Sequence, residues 1–292
     1  MNFTRSKSAL HSLHVFFNVD VVVYCEGGPS LSYSEAIEAK DSDGTLDSFY
    51  WSSVVESYGF AKSFHFKSVG SKIVVNSIAD DVNSLGLSTV TVCRDADYER
   101  LLGRQISGTR IAWTSGYSWE NDAISIKTLE GLAVNLIGNG KEGALFIEEL
   151  RSKIKKLESQ LSRWVEIDIS LCSQGKSGIF DREKPLYSVD MSSPPALKLS
   201  VLHQKLVSAG YCRKPRKVVG ILPEHSLKCC YGKLISKAIY HAFISSLKTF
   251  SKMKIEYELF MRLAISETMR GVKDGLFPDF SQHIASQRNA FA

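Results

Sequence analysis

The sequence predicts an α/β fold, a mostly parallel sheet with helices on both faces, followed by a basic, helical second half. Three observations carry this. Up to about residue 145, short β-branched runs alternate with helical patterns, the order that builds parallel sheets. From about Gly143 the apolar positions instead recur in steps of three and four, the spacing of one helix face. The charge divides at the same place: residues 1–145 hold 12 Lys and Arg against 17 Asp and Glu, and residues 146–292 hold 24 against 14.

The elements follow in order. Val19 to Cys25 is a β-branched run that stops at Glu26-Gly27-Gly28-Pro29, the form of a buried strand ending in a loop. Phe49 to Tyr58 reads as a short helix, Ser63 to Phe66 as a second strand, and Lys72 to Leu85 as a helix stopped by Gly86. Ser88 to Cys93 is a third strand running into Arg94-Asp95-Ala96-Asp97, and Arg110 to Trp113 a fourth, before the loop Gly116-Tyr117-Ser118-Trp119-Glu120. The expected domain boundary is at 145/146. Beyond it, Leu150, Ile154, Leu157, Leu161 and Trp164 form the stripe of a long amphipathic helix. Residues 173–195 are rich in Ser, Gly and Pro and read as a loop, and helices are expected near 196–209, 226–249 and 254–271.

Composition narrows the class. At 292 residues the chain is long enough to bury a full core, and 44% hydrophobic with 23% charged residues excludes wholesale disorder. The six cysteines contain no C-x-x-C pair, so neither a zinc ribbon nor a disulfide framework is signalled, and a reducing cytoplasm is the expected compartment. His11, His14, Asn18 and Asp20 interrupt the apolar run of a signal peptide, and no stretch approaches the roughly 20 apolar residues of a membrane span. An acidic half joined to a basic half suggests a carboxylate-rich site beside a surface that attracts polyanions.

In a parallel sheet the loops after the carboxyl ends of the strands line the ligand crevice. Here those loops carry Glu26 after the first strand, Asp95 and Asp97 after the third, and Glu120 after the fourth. Oxygen ligands in such number suit Mg²⁺ or Mn²⁺ better than zinc. An isolated D-x-D is more often a turn or a helix cap. Strand-Glu-Gly, strand-D-x-D and Ser-x-Glu in this order make a stronger signal.

That ordered set resembles a Toprim core, the catalytic module of topoisomerases, bacterial primases and overcoming-lysogenization-defect nucleases. Val22-Val23-Tyr24-Cys25-Glu26-Gly27, Gly70-Ser71-Lys72, Asp95-Ala96-Asp97-Tyr98 and Tyr117-Ser118-Trp119-Glu120-Asn121 are similar, more nearly, to the Toprim-like nucleases encoded beside ABC-type ATPases in bacterial anti-phage systems of the PARIS kind. The resemblance covers residues 18–135 well and the C-terminal half loosely. It implies a Toprim-like Rossmannoid sheet in residues 1–145, a basic helical domain in 146–292, and metal-assisted phosphodiester cleavage. Asp95 and Asp97 would hold Mg²⁺ or Mn²⁺, Glu26 would act as general acid/base or second ligand, and Glu120 would complete a metal position. Tyr231-Gly232-Lys233 resembles a Gly-Lys element of the family, in which the lysine supports the transition state. The family's Asp and Phe-Tyr pair after the Glu-Gly correspond here to Asp47-Ser48-Phe49-Tyr50, displaced by an insertion near 29–46 whose acids Glu35, Glu38, Asp41 and Asp43 read as a solvated loop.

The resemblance further implies a toxin effector of an anti-phage abortive-infection system, held or activated by an ABC-type ATPase in a separate chain, and it allows a homodimer in the active state. Relatives cut DNA or transfer RNA. RNA is the expected substrate, because Tyr211, Tyr231 and Tyr240 interleave basic segments broken by Pro215 and Pro223 and no recognition-helix signature is seen. The alternatives are a Toprim-class DNA nuclease and a degenerate sensor or scaffold subunit. The cluster Arg213-Lys214-Pro215-Arg216-Lys217 is a candidate nucleic-acid contact. Gly175-Lys176-Ser177 mimics the end of a P-loop, but Ser170 stands where its first glycine belongs and no strand precedes it, so ATP binding is not expected. The seven histidines show no metal spacing, and no G-x-S-x-G elbow is present.

Overall fold

The computed structural model describes residues 7–38, 44–192, 195–211 and 220–292. The chain gathers into two compact units, one built from Met1–Asp95, Gln105–Ser115 and Thr268–Ala292, the other from Ala96–Arg104 and Gly116–Glu267. Residue 145 lies inside the second unit.

The first unit is an α/β layer around a four-stranded, all-parallel sheet. Its strands β1 (Val21–Cys25), β2 (Phe64–Ser68), β3 (Val90–Arg94) and β4 (Ile111–Trp113) lie in the order β2-β1-β3-β4. Every residue of β1 and β3 is buried, as expected of central strands covered on both faces. The Lys72–Leu85 helix packs on β3 and buries Val74, Val75, Ile78, Ala79 and Val82 at helical spacing; the Ser71 hydroxyl accepts from Val74 N at its start, and Gly86, at φ 62°, ends it. The Leu46–Tyr58 helix begins earlier than Phe49 because Thr45 caps it, its side chain accepting from Ser48 N. The described part of the 29–46 segment is more than a solvated loop. Ser32 and Glu35 form a capping box over a helical turn, the Tyr33 hydroxyl donates to Asp81 at 2.5 Å, and Ala36 and Ile37 are buried. Asp41 and Asp43 lie outside the described residues.

The C-terminal residues close this unit, a return that the sequence pattern did not signal. Thr91 in β3 donates its hydroxyl to the carbonyl of Ala290. Phe291, 1% exposed, has its ring 6.3 Å from Trp51, 5.8 Å from Phe60 and 6.4 Å from Phe64.

The second unit is helical. The Lys141–Ser173 helix runs for 33 residues, about 50 Å at 1.5 Å per residue. Leu150, Ile154, Leu157, Leu161 and Trp164 are its buried stripe, and from Val165 to Leu171 every side chain is buried, including those of Glu166 and Asp168. The helix thus extends to the start of the expected 173–195 loop, within which Pro185–Ser188 forms a single 3₁₀ turn and Val189–Asp190 pairs with Ala196–Leu197 as a small antiparallel hairpin. The Gly232–Phe250 helix packs along the long helix, with Phe146 and Phe243 edge to face at 5.1 Å.

One helix expected as continuous over 226–249 is interrupted: Ser226–Cys229 is a short turn, Cys230 is extended, and the helix restarts at Gly232. Among the described residues no helix is long and apolar enough to cross a membrane. Cys25, Cys93, Cys172, Cys229 and Cys230 all carry free thiols.

Because Phe291 supplies a ring to three aromatic neighbours, Phe291→Ala should cost about 3–5 kcal/mol of stability, read as a lowered urea midpoint at unchanged slope.

Candidate functional site

In the first unit the parallel register decides where the first two acids stand. Cys25 pairs with Cys93 across β1 and β3, and Glu26 N donates to the Cys93 carbonyl at 3.4 Å. Glu26 and Asp95 each lie one residue past the carboxyl end of their strand. They are therefore neighbours at the sheet edge where parallel α/β folds bind ligands.

The turn that follows Glu26 is shaped by glycine. Gly27 has φ 113°, and a Cβ there would fall on the carboxylate of Asp47, so only glycine admits that side chain so close. Asp47, in the first turn of the Leu46–Tyr58 helix, is thus held against the Glu26-Gly27 turn. The Thr45 hydroxyl meets the Ser68 hydroxyl at 2.5 Å, and Gly70 N donates to the Gly27 carbonyl at 2.5 Å, tying the end of β2 to the same turn. Next to Asp95, the Arg94 guanidinium is fully buried and lies 4.3 Å over the Trp113 ring.

The remaining candidates gather in the second unit. Asp97 takes a left-handed conformation, φ 44°, which Asp tolerates better than most residues. Its backbone N donates to the Tyr117 carbonyl at 2.7 Å, and Tyr117 N donates to the Lys228 carbonyl at 2.8 Å. Glu120, 3% exposed, sits in the first turn of the Trp119–Ala123 helix and accepts from the Ser118 hydroxyl at 2.5 Å. Asn121 Nδ2 donates to the carbonyls of Leu227 and Cys230 at 2.5 and 2.9 Å. These bonds knit residues 117–121 to residues 227–230 and explain the interrupted helix. Gly232 begins the new helix because a Cβ there would run into Ser118 Oγ and come within 2.8 Å of Asn121 Oδ1 and 2.9 Å of Glu120 Oε2.

Burial pushes the Glu120 carboxyl above its ordinary value of 4.5; the Ser118 hydrogen bond and the Lys233 charge pull it down, and Asp97 pushes it up. Glu120 therefore lies within electrostatic reach of both Asp97 and Lys233. Lys233 is exposed, on the same helix face as Lys237 four residues on.

Carboxylates are the oxygen ligands that a hard divalent cation takes. Glu26, Asp47 and Asp95 in the first unit and Asp97 and Glu120 in the second are all carboxylates, without sulfur or imidazole among them. Among the described residues no group of three or more His, Cys, Asp or Glu side chains stands gathered as a ready-made metal cage.

Two residues of this region were missed by sequence reasoning. Asp168 is fully buried, and its Oδ2 accepts from the Tyr98 hydroxyl and from Arg182 Nη2, each at 2.6 Å. The available signal was Glu166 and Asp168 inside an otherwise apolar helix end, since a buried carboxylate demands a partner; its partner in a Gly- and Ser-rich loop carried no pattern.

The tyrosines expected to stack on RNA bases are engaged in packing. Tyr231 is buried against Arg182 and Tyr117, the Tyr240 hydroxyl donates to the Ile255 carbonyl at 2.8 Å, and Tyr211 lies over Lys176. The cluster 213–217 lies outside the described residues. No protein-family model matches the chain, and no curated protein matches it.

The raised Glu120 carboxyl predicts a pH-dependent stability difference in protein stripped of divalent ions. Its ionised form is disfavoured by folding, so it destabilises at neutral pH and ceases to do so below its unfolded value. Glu120→Gln should melt at a higher temperature than wild type at pH 7, and the two should converge as the pH falls towards 4.5.

Proposed function

We propose that this chain is a metal-dependent nuclease of the Toprim kind, an anti-phage effector that cleaves RNA, with transfer RNA the preferred substrate, and that an ABC-type ATPase in a separate chain restrains or releases it in the cytoplasm. The observation that carries this reading is the pair Glu26 and Asp95, one residue past the carboxyl ends of adjacent parallel strands, with Asp47 held against the Glu26-Gly27 turn. Support for a polyanionic substrate comes from the excess of Lys and Arg after residue 145 and from the exposed Lys228 and Lys233 with the half-buried Lys237.

In this reading Glu26 and Asp95 would be the first unit's carboxylates for Mg²⁺ or Mn²⁺, and Asp97 and Glu120 would be the second unit's. The cation supplies Lewis-acid polarisation of the phosphate and lowers the pKa of an attacking water. Glu26 takes the proton from the nucleophile. Lys233 neutralises charge that develops on the phosphate oxygens. Gly232 lets the backbone that carries Lys233 approach Glu120, which keeps cation and carboxylate within electrostatic reach.

The test incubates purified protein with Mg²⁺ or Mn²⁺ and, separately, transfer RNA and supercoiled plasmid. Cleaved transfer RNA with intact plasmid is expected, and Glu26→Ala and Asp95→Asn should each lower the rate about 10²–10⁴-fold while melting like wild type. Plasmid nicking with intact transfer RNA would overturn the RNA claim and leave the metal nuclease. Full activity in both variants would overturn the site.

A further inference from the structure

An ion pair in the second unit joins the three chain segments that carry Asp97, Glu120 and Lys233, and the proposed reaction leaves it without a role. Asp168 is 0% exposed and saturated: Tyr98 and Arg182 donate to Oδ2, and Phe180 N donates to Oδ1 at 3.2 Å. The Arg182 guanidinium so held lies 4.6 Å from the ring of Tyr231 and 5.5 Å from that of Tyr117, and the Tyr231 hydroxyl returns to the Arg182 carbonyl at 2.9 Å. Tyr98 and Tyr117 meet edge to face at 4.9 Å.

Each of these tyrosines is tied to one candidate residue. Tyr98 follows Asp97 directly. Tyr117 accepts the Asp97 N–H on its carbonyl and begins the turn that leads to Glu120. Tyr231 precedes Gly232-Lys233. The pair therefore fixes three loops within one to three residues of Asp97, Glu120 and Lys233.

Gly178, in the segment that mimics a P-loop end, belongs to the same device: a Cβ there would collide with Asp168 Oδ1 and come within 3.2 Å of Arg182 Nη2. Burial works against the Arg182 charge, and Asp168, with Tyr117 and Tyr98, outweighs it. A guanidinium suits this position because it keeps its charge and presents flat faces to two rings.

We propose that Asp168 and Arg182 are positioning residues for the Asp97, Glu120 and Lys233 cluster, acting through Tyr98, Tyr117 and Tyr231 to hold its carboxylates where they bind the divalent cation. This rests on the metal-nuclease reading. Residues that orient metal ligands from behind change metal affinity or activity about 10–100-fold when altered, and that is the scale expected here.

The experiment compares wild type, Tyr98→Phe, Arg182→Lys and a packing control, Ile154→Val, a core residue of the long helix 1% exposed. Three quantities are read: Mn²⁺ affinity by electron paramagnetic resonance, kcat and KM for transfer RNA cleavage, and melting temperature without metal. Tyr98→Phe keeps the ring and loses the bond to Asp168. It should weaken Mn²⁺ binding and lower kcat about tenfold with KM unchanged, and Arg182→Lys should do so more strongly. Ile154→Val should lower only the melting temperature. Wild-type Mn²⁺ affinity and kcat in folded Tyr98→Phe and Arg182→Lys would overturn the proposal and leave the nuclease standing. A wild-type protein that neither binds Mn²⁺ nor cleaves would overturn the nuclease reading and this inference with it.

Discussion

The pairing of β1 with β3 is the constraint on which the placement of Glu26 and Asp95 depends. Parallel strands cannot be joined by a tight turn, so each must leave the sheet at the same edge and return by a crossover. Their in-register ladder, Cys25 opposite Cys93, brings the residues that follow them to one place, although almost 70 residues of chain lie between Glu26 and Asp95. The covering helices keep both strands fully buried, and slippage by one residue would turn every side chain to the opposite face. Register therefore fixes the acids more firmly than any contact between their own side chains.

The second unit meets a different constraint, that of burying a carboxylate in a dry place. Glu120 is nearly inaccessible to water, and its partners are a serine hydroxyl and the charge on a lysine. The glycine that starts the Gly232–Phe250 helix makes this closeness possible. The continuous helix that periodicity suggests would have no reason to break at Cys230-Tyr231, and the break is what admits Ser118 and Asn121. Local propensity yields there to a tertiary contact, a conflict characteristic of functional segments.

Much of this was legible in the sequence. All four strands of the sheet lie within two residues of their expected positions, and the Lys72–Leu85 helix has its expected bounds, because β-branched runs ending at Gly or Asp and a serine-to-glycine frame are local signals. The stripe from Leu150 to Trp164 is buried for the same reason. What escaped is carried by single long-range contacts without periodicity: the return of residues 268–292 to the sheet unit, the Asp168 and Arg182 pair, and the packing of Tyr231 and Tyr240 against neighbours in the core. A tyrosine among lysines looks the same whether it faces solvent or a helix, and only the fold decides.

The late closure of the first unit bears on how the chain is made. Its fourth strand ends at Trp113, yet the ring neighbour that Trp51, Phe60 and Phe64 share is Phe291, and the Thr91 hydroxyl of β3 donates to Ala290. Contacts of such sequence separation form slowly, and during vectorial synthesis at about 5–20 residues per second the nascent sheet must wait about 10–35 s with that apolar face uncovered. The edge carrying Glu26 and Asp95 is then supported by an incomplete core while the polypeptide is still on the ribosome. Maturation is thereby postponed until Ala290 and Phe291 have been synthesised.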